Sequence, residues 1–155
     1  QTKELFGLRN FCMENANGKR IIKANSIWVL VDATTGRPIR ITDEVSSHYP
    51  DEPKLEMDYC DRKIAVPAEY VEMPAITIPK YFIDTNNHMN NAKYVMVAEE
   101  YLPAEFKTKE IRVEYKNAAV LGDTMIPRVT VEDDAVTVVL VDENGKAYAT
   151  VLFLA

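Results

Sequence analysis

The sequence contains little glycine, proline or cysteine, and it lacks long apolar runs. Its 155 residues include 5 glycines and 8 prolines, which excludes a collagen-like or low-complexity chain. Two cysteines, Cys12 and Cys60, are too few for a disulfide framework or a zinc site. No apolar run approaches the ~20 residues that span a bilayer, and no secretory signal opens the sequence. These absences predict a protein without a membrane span that is located in the cytoplasm.

The charge is moderately acidic, and the common nucleotide-binding motifs are missing. The formal net charge is −6, from 18 basic and 24 acidic side chains. Most of the excess lies in residues 43–62, which we interpret as a solvated segment. An acidic chain argues against nucleic acid as a partner. The sequence has neither a glycine-rich phosphate loop nor a Gly-x-Ser-x-Gly nucleophile elbow.

Two Asn-Gly pairs predict two hairpins, at Asn17-Gly18 and at Asn144-Gly145. Asn-Gly between strand-like runs favours a type I′ turn, in which both central residues have positive φ. The flanking strands are expected at 5–14 and 20–31, and at 135–141 and 147–154. A lysine and an apolar strand follow each pair, which suggests an internal repeat. The alternative is that Asn-Gly-Lys recurs by chance in a β-rich chain.

The repeat predicts that its first copy is the shorter one. Seventy residues separate Ala75 from Gly145, whereas 17 residues precede Gly18, a deficit of 53. We therefore expect the chain to be part of a longer polypeptide, in which the first copy here lacks its leading strand, its helix and the next strand.

One long helix is expected between the strands. Residues 91–102 are apolar at most positions, with Asn90 as N-cap and Pro103 as the stop, which predicts a helix buried over most of its surface. Residues 42–74 lack strand alternation and are expected to form a linker with short helical turns near 43–48 and 66–71. Strands are expected at 75–83, 109–117 and 124–132, in addition to the second hairpin. A helix wrapped by an antiparallel sheet gives an α+β fold class.

Polar residues cluster at the junction between the 75–83 strand and the helix. Asp84, Asn86 and His88 share parity, so in an extended stretch their side chains would converge on one side. Histidine is suited to proton transfer near neutral pH, and a helix start offers N–H groups to an oxyanion. The structural alternative is a capped helix start with asparagine-rich turns. The other histidine, His48, lies in the linker and is interpreted as solvated.

The segment Asp84-Thr85-Asn86-Asn87-His88-Met89-Asn90-Asn91-Ala92-Lys93-Tyr94 resembles a motif of the acyl-acyl carrier protein thioesterases. The likeness extends to Tyr101-Leu102-Pro103 and to Glu114-Tyr115-Lys116. A second stretch, from Asn25 to Asp32 and on to Pro38, is similar to the other recurrent segment of that family. The resemblance covers nearly the whole chain.

The resemblance implies a tandem hotdog fold, in which each half is a long helix wrapped by an antiparallel sheet. Residues 1–41 would be part of the N-terminal hotdog, 42–74 the linker and 75–155 a complete C-terminal hotdog that carries the catalytic motif. The implied activity is hydrolysis of fatty acyl thioesters on acyl carrier protein, releasing free fatty acid. It implies no metal and no organic cofactor. Acyl carrier protein is the implied partner, and a homodimer is a further expectation.

Carried over residue by residue, the catalytic residues of the family fall on Asp84, Asn86 and His88. His88 and Asn86 would bind the thioester carbonyl and organise water, Asp84 would orient them, and backbone N–H groups at the helix start would stabilise the oxyanion. The family commonly adds a glutamate, and plant members a cysteine, where this sequence has Ala118 and Ala119. The general base is therefore open between His88, Asp84 and another residue, and a Cys-His-Asn mechanism is unsupported.

Two other functions stay open. One is a thioesterase that acts on coenzyme A esters, although no nucleotide-pocket signal is present. The other is a non-catalytic acyl-binding hotdog protein, which the two alanines favour and the intact Asp84, Asn86 and His88 set disfavours. Docking of the acidic carrier protein would require exposed bases, and the candidates are Arg37, Arg40, Lys80 and Lys93. The preferred acyl chain length cannot be read from the sequence.

Overall fold

A computed structural model describes residues 2–3, 5–49 and 51–155. Gln1, Glu4 and Pro50, which fall within the predicted 1–41 and 42–74 segments, lie outside the described residues. The chain divides into two compact units, residues 1–60 and residues 61–155. Within the described ranges, no helix is both long enough and apolar enough to cross a membrane.

The first unit is a three-stranded antiparallel sheet followed by one short helix. Its strands are β1 (Thr2–Lys3), β2 (Phe6–Glu14) and β3 (Arg20–Val29), in the order β1-β2-β3. Helix α1 (Asp43–Ser46) begins at the N-cap Thr42. The predicted strands at 5–14 and 20–31 are confirmed to within two residues, and so is a helical turn near 43–48.

The side chains of this first unit are largely exposed. The apolar surroundings of Trp28 in the sequence favour a core position, whereas an incomplete first sheet is expected to expose it, and it is 52% exposed. Its indole N–H donates to Ser26 Oγ at 2.7 Å, and the Arg9 guanidinium lies 5.5 Å from the ring centroid. No described residue of the unit is classed as buried. A single sheet without a packed second layer leaves such a ring at the surface.

The second unit is built on a larger antiparallel sheet. Its strands are β4 (Val71–Glu72), β5 (Ile76–Thr77), β6 (Glu110–Tyr115), β7 (Thr124–Val131), β8 (Ala135–Val141) and β9 (Ala147–Leu154). Their order is β4-β7-β8-β9-β6, and β5 pairs with β7 beside β4. The strands predicted at 109–117, 124–132, 135–141 and 147–154 are confirmed, so the unit has the expected α+β architecture.

Helix α2 (Asn91–Glu99) packs on one face of this sheet, against β8 and β9. Its buried residues Tyr94, Val97 and Ala98 follow the i, i+3, i+4 spacing of a single helical face. They meet alternate strand residues that point to the same side: Val136, Val138, Leu140, Val151 and Phe153. The opposite side of the helix, including Met96, is exposed. The prediction of burial over most of the helix surface is therefore wrong.

The helix also ends earlier than the sequence suggests. Regular α-helix stops at Glu99, and the chain continues in a turn in which the Leu102 N–H donates to the Glu99 carbonyl at 3.1 Å. Pro103 follows, in keeping with its lack of an N–H group for the next helical turn.

Two further predictions around the linker are wrong. The strand expected at 75–83 is limited to β5, because Pro79 has no N–H to continue a ladder and a 3₁₀ helix (Lys80–Phe82) follows it. The helical turn expected at 66–71 does not form, since residues 66–70 are irregular and Val71 begins β4. Thr130 Oγ1 donates to the Glu69 carbonyl at 2.7 Å, and β4 then pairs with β7. Partners on the β7 edge thus outweigh the local helical preference.

The 61–70 segment covers the sheet face opposite α2. Arg112 donates to the Asp61 carbonyl at 2.6 Å, and the Ile64 N–H donates to Glu114 Oε2 at 3.3 Å. Glu114 pairs with Thr150, which alternates with the helix-facing Val151. Glu114 therefore holds this covering segment, on the face away from the helix.

The two predicted hairpins share one turn geometry. Asn15 Oδ1 accepts the N–H groups of Asn17 and Lys19, and Asp142 Oδ1 accepts those of Asn144 and Lys146. Gly18 has φ 73° and Gly145 has φ 78°, whereas neither central asparagine is among the described residues with positive φ. This is the type I turn with a left-handed glycine, not the type I′ turn that the sequence predicts. The side-chain acceptor two residues before each asparagine accounts for the difference.

Candidate active site

The predicted catalytic segment is a tight loop between the 3₁₀ helix and α2. Ile83 and Met89 form an antiparallel bridge that closes it. The Asp84 N–H donates to the His88 carbonyl at 2.8 Å, and Asn87 takes a left-handed conformation with φ 61°. The expectation of an extended stretch with side chains converging by parity is therefore wrong, since the backbone reverses between Asp84 and His88.

Asp84 stabilises this turn directly. Its carboxylate oxygen Oδ1 accepts the Asn86 N–H at 2.8 Å, and the residue is partly buried. Asn86 and His88 are exposed. Neither of their side chains has a hydrogen-bond partner among residues 2–3, 5–49 and 51–155. The structure thus brings the three predicted residues onto one loop without joining their side chains.

The start of α2 lies immediately after this loop and is capped as predicted. Asn90 Oδ1 accepts the Ala92 N–H at 3.0 Å, and the Asn90 carbonyl accepts the Lys93 N–H at 2.9 Å. The Asn90 N–H itself donates to the Phe82 carbonyl at 2.8 Å. Of the amides at the helix start, only that of Asn91 has no acceptor within the described part of the chain. Within the described residues, the Asn91 N–H is thus the one amide at the helix start that is left to donate to an oxyanion.

The loop from Ile83 to Met89 is called the His88 loop. The loop that connects β6 to β7 lies against it. The Met89 N–H donates to the Ala119 carbonyl at 2.8 Å, and the Ala119 N–H donates to Tyr94 Oη at 2.9 Å. Ala119 is 0% exposed, whereas its neighbour Ala118 is exposed. The two positions at which the sequence departs from the thioesterase pattern therefore lie beside the loop that carries His88.

Three tyrosines and one aspartate fix these loops, and the sequence reasoning missed them. Tyr115 donates to the Asn91 carbonyl at 3.0 Å, and its ring meets that of Tyr94 edge to face at 5.7 Å. Tyr148 donates to Asp123 Oδ2 at 3.1 Å, and the same oxygen accepts the Val120 N–H at 2.9 Å. Tyr94 and Tyr115 belong to the quoted motifs, but their partners lie 24 or more residues away in sequence.

The environment makes these three tyrosines harder to deprotonate than an exposed tyrosine. Burial raises the pKa of Tyr94 and of Tyr115. Burial, and then the hydrogen bond to Asp123, raise the pKa of Tyr148 to about 12. They are therefore hydrogen-bonding groups rather than bases.

The described residues hold no group of three or more His, Cys, Asp or Glu side chains placed to bind a metal ion. Both cysteines, Cys12 and Cys60, are exposed.

Comparison with known protein families identifies the family to which the chain belongs. Residues 1–49 match the acyl-ACP thioesterase N-terminal domain, and residues 68–150 match the acyl-ACP thioesterase C-terminal domain. Together these matches cover most of the sequence. The chain belongs to the acyl-ACP thioesterase family.

Individual relatives agree with this assignment. The chain is 33% identical over 110 residues to the chloroplastic oleoyl-acyl carrier protein thioesterase 2 of Arabidopsis thaliana, covering 63% of this chain and 30% of that protein. It is 30% identical over 115 residues to the chloroplastic palmitoyl-acyl carrier protein thioesterase of Cuphea hookeriana, covering 66% and 27%. The chain thus spans less than a third of the length of these relatives.

A solved structure shows the same fold. An acyl-ACP thioesterase from Bacteroides thetaiotaomicron superposes with a TM-score of 0.84 at 20% identity, covering 99% of this chain and 64% of that one.

Proposed function

We propose that the protein hydrolyses fatty acyl thioesters carried by acyl carrier protein and releases free fatty acid. The observation that carries the proposal is the complete Asp84, Asn86 and His88 set on a single loop at the start of α2. Membership of the acyl-ACP thioesterase family supports it. The activity and the carrier are inferred, because the aligned region is less than a third of each curated relative described above.

For the fold, we propose that residues 75–155 form a complete hotdog, that 1–41 form part of a second one, and that 42–74 link them. Support for the first part comes from α2, which packs across the antiparallel strands β8 and β9. Support for the second comes from the hairpin at Asn15–Lys19, whose hydrogen bonds match those at Asp142–Lys146.

The reaction we propose is attack of one water molecule on the thioester carbonyl. His88 accepts a proton from water as the new C–O bond forms, and it returns that proton to the carrier sulfur as the C–S bond breaks. The Asn86 side-chain amide and the Asn91 N–H are the donors available to the developing oxyanion. Asp84 orients the loop through the Asn86 N–H at 2.8 Å. That bond occupies one carboxylate oxygen, which favours His88 over Asp84 as the base.

A specific observation favours a second candidate, acyl binding without hydrolysis. Ala118 is exposed beside the His88 loop and carries no carboxylate that could help to activate water. A thioesterase that acts on coenzyme A esters is a third candidate, which shares the acyl chemistry but not the carrier.

Thiol release from acyl-acyl carrier protein and from the matching acyl-coenzyme A, measured with the natural full-length protein, separates these candidates. We expect release from the carrier-protein ester at a higher kcat/KM. Equal or faster release from the coenzyme A ester contradicts the proposed carrier, and acyl binding without release from either ester contradicts the proposed hydrolysis.

We further propose that acidic acyl carrier protein docks near Lys80 and Lys93. Lys80 is exposed just before the His88 loop, and Lys93 lies in the first turn of α2 with its ammonium 5.6 Å from the Phe82 ring centroid. Cationic side chains around an active-site entrance favour an acidic partner and speed its association. Location in the cytoplasm and homodimer formation stay predictions.

A further inference from the structure

A cavity of about 180 Å³ lies on the sheet face away from α2. Its apolar lining includes Val139 and Val141, which alternate with the helix-facing residues of β8. Val66 and Pro67, from the 61–70 segment that covers this face, also line it. None of its described lining residues belongs to the His88 loop. The cavity is therefore separate from the proposed active site.

Arg128 is the first of two cations that line the cavity. Its Nε donates to Glu72 Oε2 at 3.1 Å, and its guanidinium carbon lies 4.8 Å from the centroid of the Tyr70 ring. Its terminal nitrogens Nη1 and Nη2 have no hydrogen-bond acceptor in the part of the chain that the structure describes. A Cβ atom added to Gly145, another lining residue, would lie 3.6 Å and 3.7 Å from these nitrogens. The unused donors therefore lie at the Gly145 side of the cavity.

Lys116 is the second cation. Its Nζ lies 3.6 Å from Glu114 Oε2, an oxygen that already accepts the Ile64 N–H at 3.3 Å. Across the described ranges, the Lys116 ammonium donates no hydrogen bond. The cavity thus combines apolar side chains with two cations that still have donors to offer, which is the usual composition of a small-molecule pocket.

The charges around the cavity favour a ligand with a single negative charge. Arg128 lies beside Glu72 and Lys116 lies beside Glu114, so the four side chains together carry no net charge. One negative charge can bind at the free guanidinium donors, whereas the second charge of a phosphate would be repelled by the two carboxylates. The terminal nitrogens of an arginine also match the two oxygens of a carboxylate.

The size and the walls of the cavity define the rest of the ligand. An apolar cavity of about 150 Å³ holds a molecule of the size of benzene. The 180 Å³ of this cavity therefore accommodate about six to eight non-hydrogen atoms. The valines offer contact to an aliphatic chain and no hydrogen-bond partner to a polar one.

We propose that this cavity binds a monocarboxylate with a short aliphatic chain, about four to six carbons in total. Its carboxylate contacts the Arg128 terminal nitrogens and the Lys116 ammonium, and its chain lies against Val139 and Val141. The proposal does not rest on thioester hydrolysis, because the cavity and the His88 loop share no described residue.

NMR titration of the natural full-length protein with hexanoate tests the proposal. We expect saturable shifts of the Gly145 amide and of the Val139 and Val141 methyl groups. Hexanol has the same chain without the charge, and inorganic phosphate has the charge without the chain. Both should bind with a dissociation constant at least about 10-fold higher than that of hexanoate, because each lacks one half of the recognition.

Several results of this titration would overturn the proposal. Shifts confined to the His88 loop would place hexanoate at the proposed active site instead, and the absence of any saturable shift would exclude the cavity as a site. Equal binding of hexanol would exclude recognition of the carboxylate, and equal binding of phosphate would exclude recognition of the chain. A protein that hydrolyses no thioester but binds hexanoate beside Gly145 would remove the proposed function and leave this proposal intact.

Arg128→Gln and Arg20→Gln form a matched pair of variants. Arg20 lies in β3, and its Nε pairs with Glu14 Oε1 at 3.2 Å, much as Arg128 pairs with Glu72. We expect Arg128→Gln to raise the dissociation constant for hexanoate about 10-fold or more, since it removes charge-assisted hydrogen bonds, and Arg20→Gln to leave it unchanged. An unchanged constant in a folded Arg128→Gln protein, or an equal rise in both variants, overturns the proposal. If Arg128→Gln does not fold, the three ligands on the wild type decide.

Discussion

The backbone N–H of Met89 donates to the carbonyl of Ala119 at 2.8 Å. The two residues are 30 positions apart in sequence, and each follows a residue of functional interest, His88 or Ala118. Position 118 is therefore one residue away from the carbonyl that is bonded to the His88 loop. This contact makes position 118 the natural place to alter water activation.

We predict that Ala118→Glu raises the rate of thioester hydrolysis. The thioesterase pattern places a glutamate there, and a carboxylate beside His88 could accept a proton or orient water. Ala118 is exposed, so the longer side chain costs little in packing. Ala118→Gln is the control, because it has the same shape without the negative charge. A rate that does not rise, or that rises equally in both variants, argues against this role.

We predict that Asn86→Ala lowers kcat on the order of 100-fold, the usual effect of losing one oxyanion donor. Its side chain has no partner in the described part of the chain, so its removal breaks no structural hydrogen bond. Asn144→Ala, in the exposed turn of the second hairpin, is the control for an asparagine without a catalytic role. Steady-state kinetics measure kcat for both variants. A kcat of Asn86→Ala equal to that of Asn144→Ala would exclude Asn86 from the site.

We predict that the double variant Lys80→Glu/Lys93→Glu raises KM for acyl-acyl carrier protein at low salt. Reversing two charges near the active-site entrance should repel the acidic carrier, and added salt should reduce the effect. KM for the acyl-coenzyme A ester should change less. Lys107→Glu/Lys109→Glu makes the same charge change at exposed lysines after α2. Similar effects of both pairs would indicate general repulsion rather than a docking site.

We predict that Leu140→Ala lowers the free energy of unfolding by about 2–5 kcal/mol, because it opens a cavity under α2. Leu140 is 0% exposed in the core cluster, whereas Leu121 is 58% exposed. Leu121→Ala, the same chemical change at the surface, should cost less than about 1 kcal/mol. Denaturant unfolding measures both, and a comparable loss in the two variants contradicts the assignment of the core.

The sequence predicts the sheet well where its signals are local. The alternation in β6 and the two Asn-Gly pairs are contained within a few residues, and both hairpins form where expected. Their turn type was missed, because Asn15 and Asp142 accept backbone N–H groups of the turns.

The predicted 75–83 strand failed because Pro79 interrupts it and a 3₁₀ helix follows. The Ile78 N–H still donates to the Asp123 carbonyl, in register with the pairing of β5 and β7.

The candidate site was likewise predicted from the sequence only in part. The motif identifies the loop from Asp84 to Asn90, and Asn90 caps α2 as expected. The shape of the loop was missed, because a side-chain bond from Asp84 and a left-handed Asn87 reverse the backbone. The hydrogen bond between Tyr94 and Ala119 was missed because it joins residues 25 apart. No periodicity in the sequence reports such a contact.

The most direct test of the account is the activity of His88→Ala toward acyl-acyl carrier protein, with His48→Ala as the matched control. His88 is the proposed base and His48 lies in the first unit, outside the motif. We predict that His88→Ala lowers kcat/KM about 100-fold or more while His48→Ala keeps wild-type turnover. Wild-type turnover in a folded His88→Ala protein would contradict the proposed site and reduce the asparagine-rich loop to a helix cap.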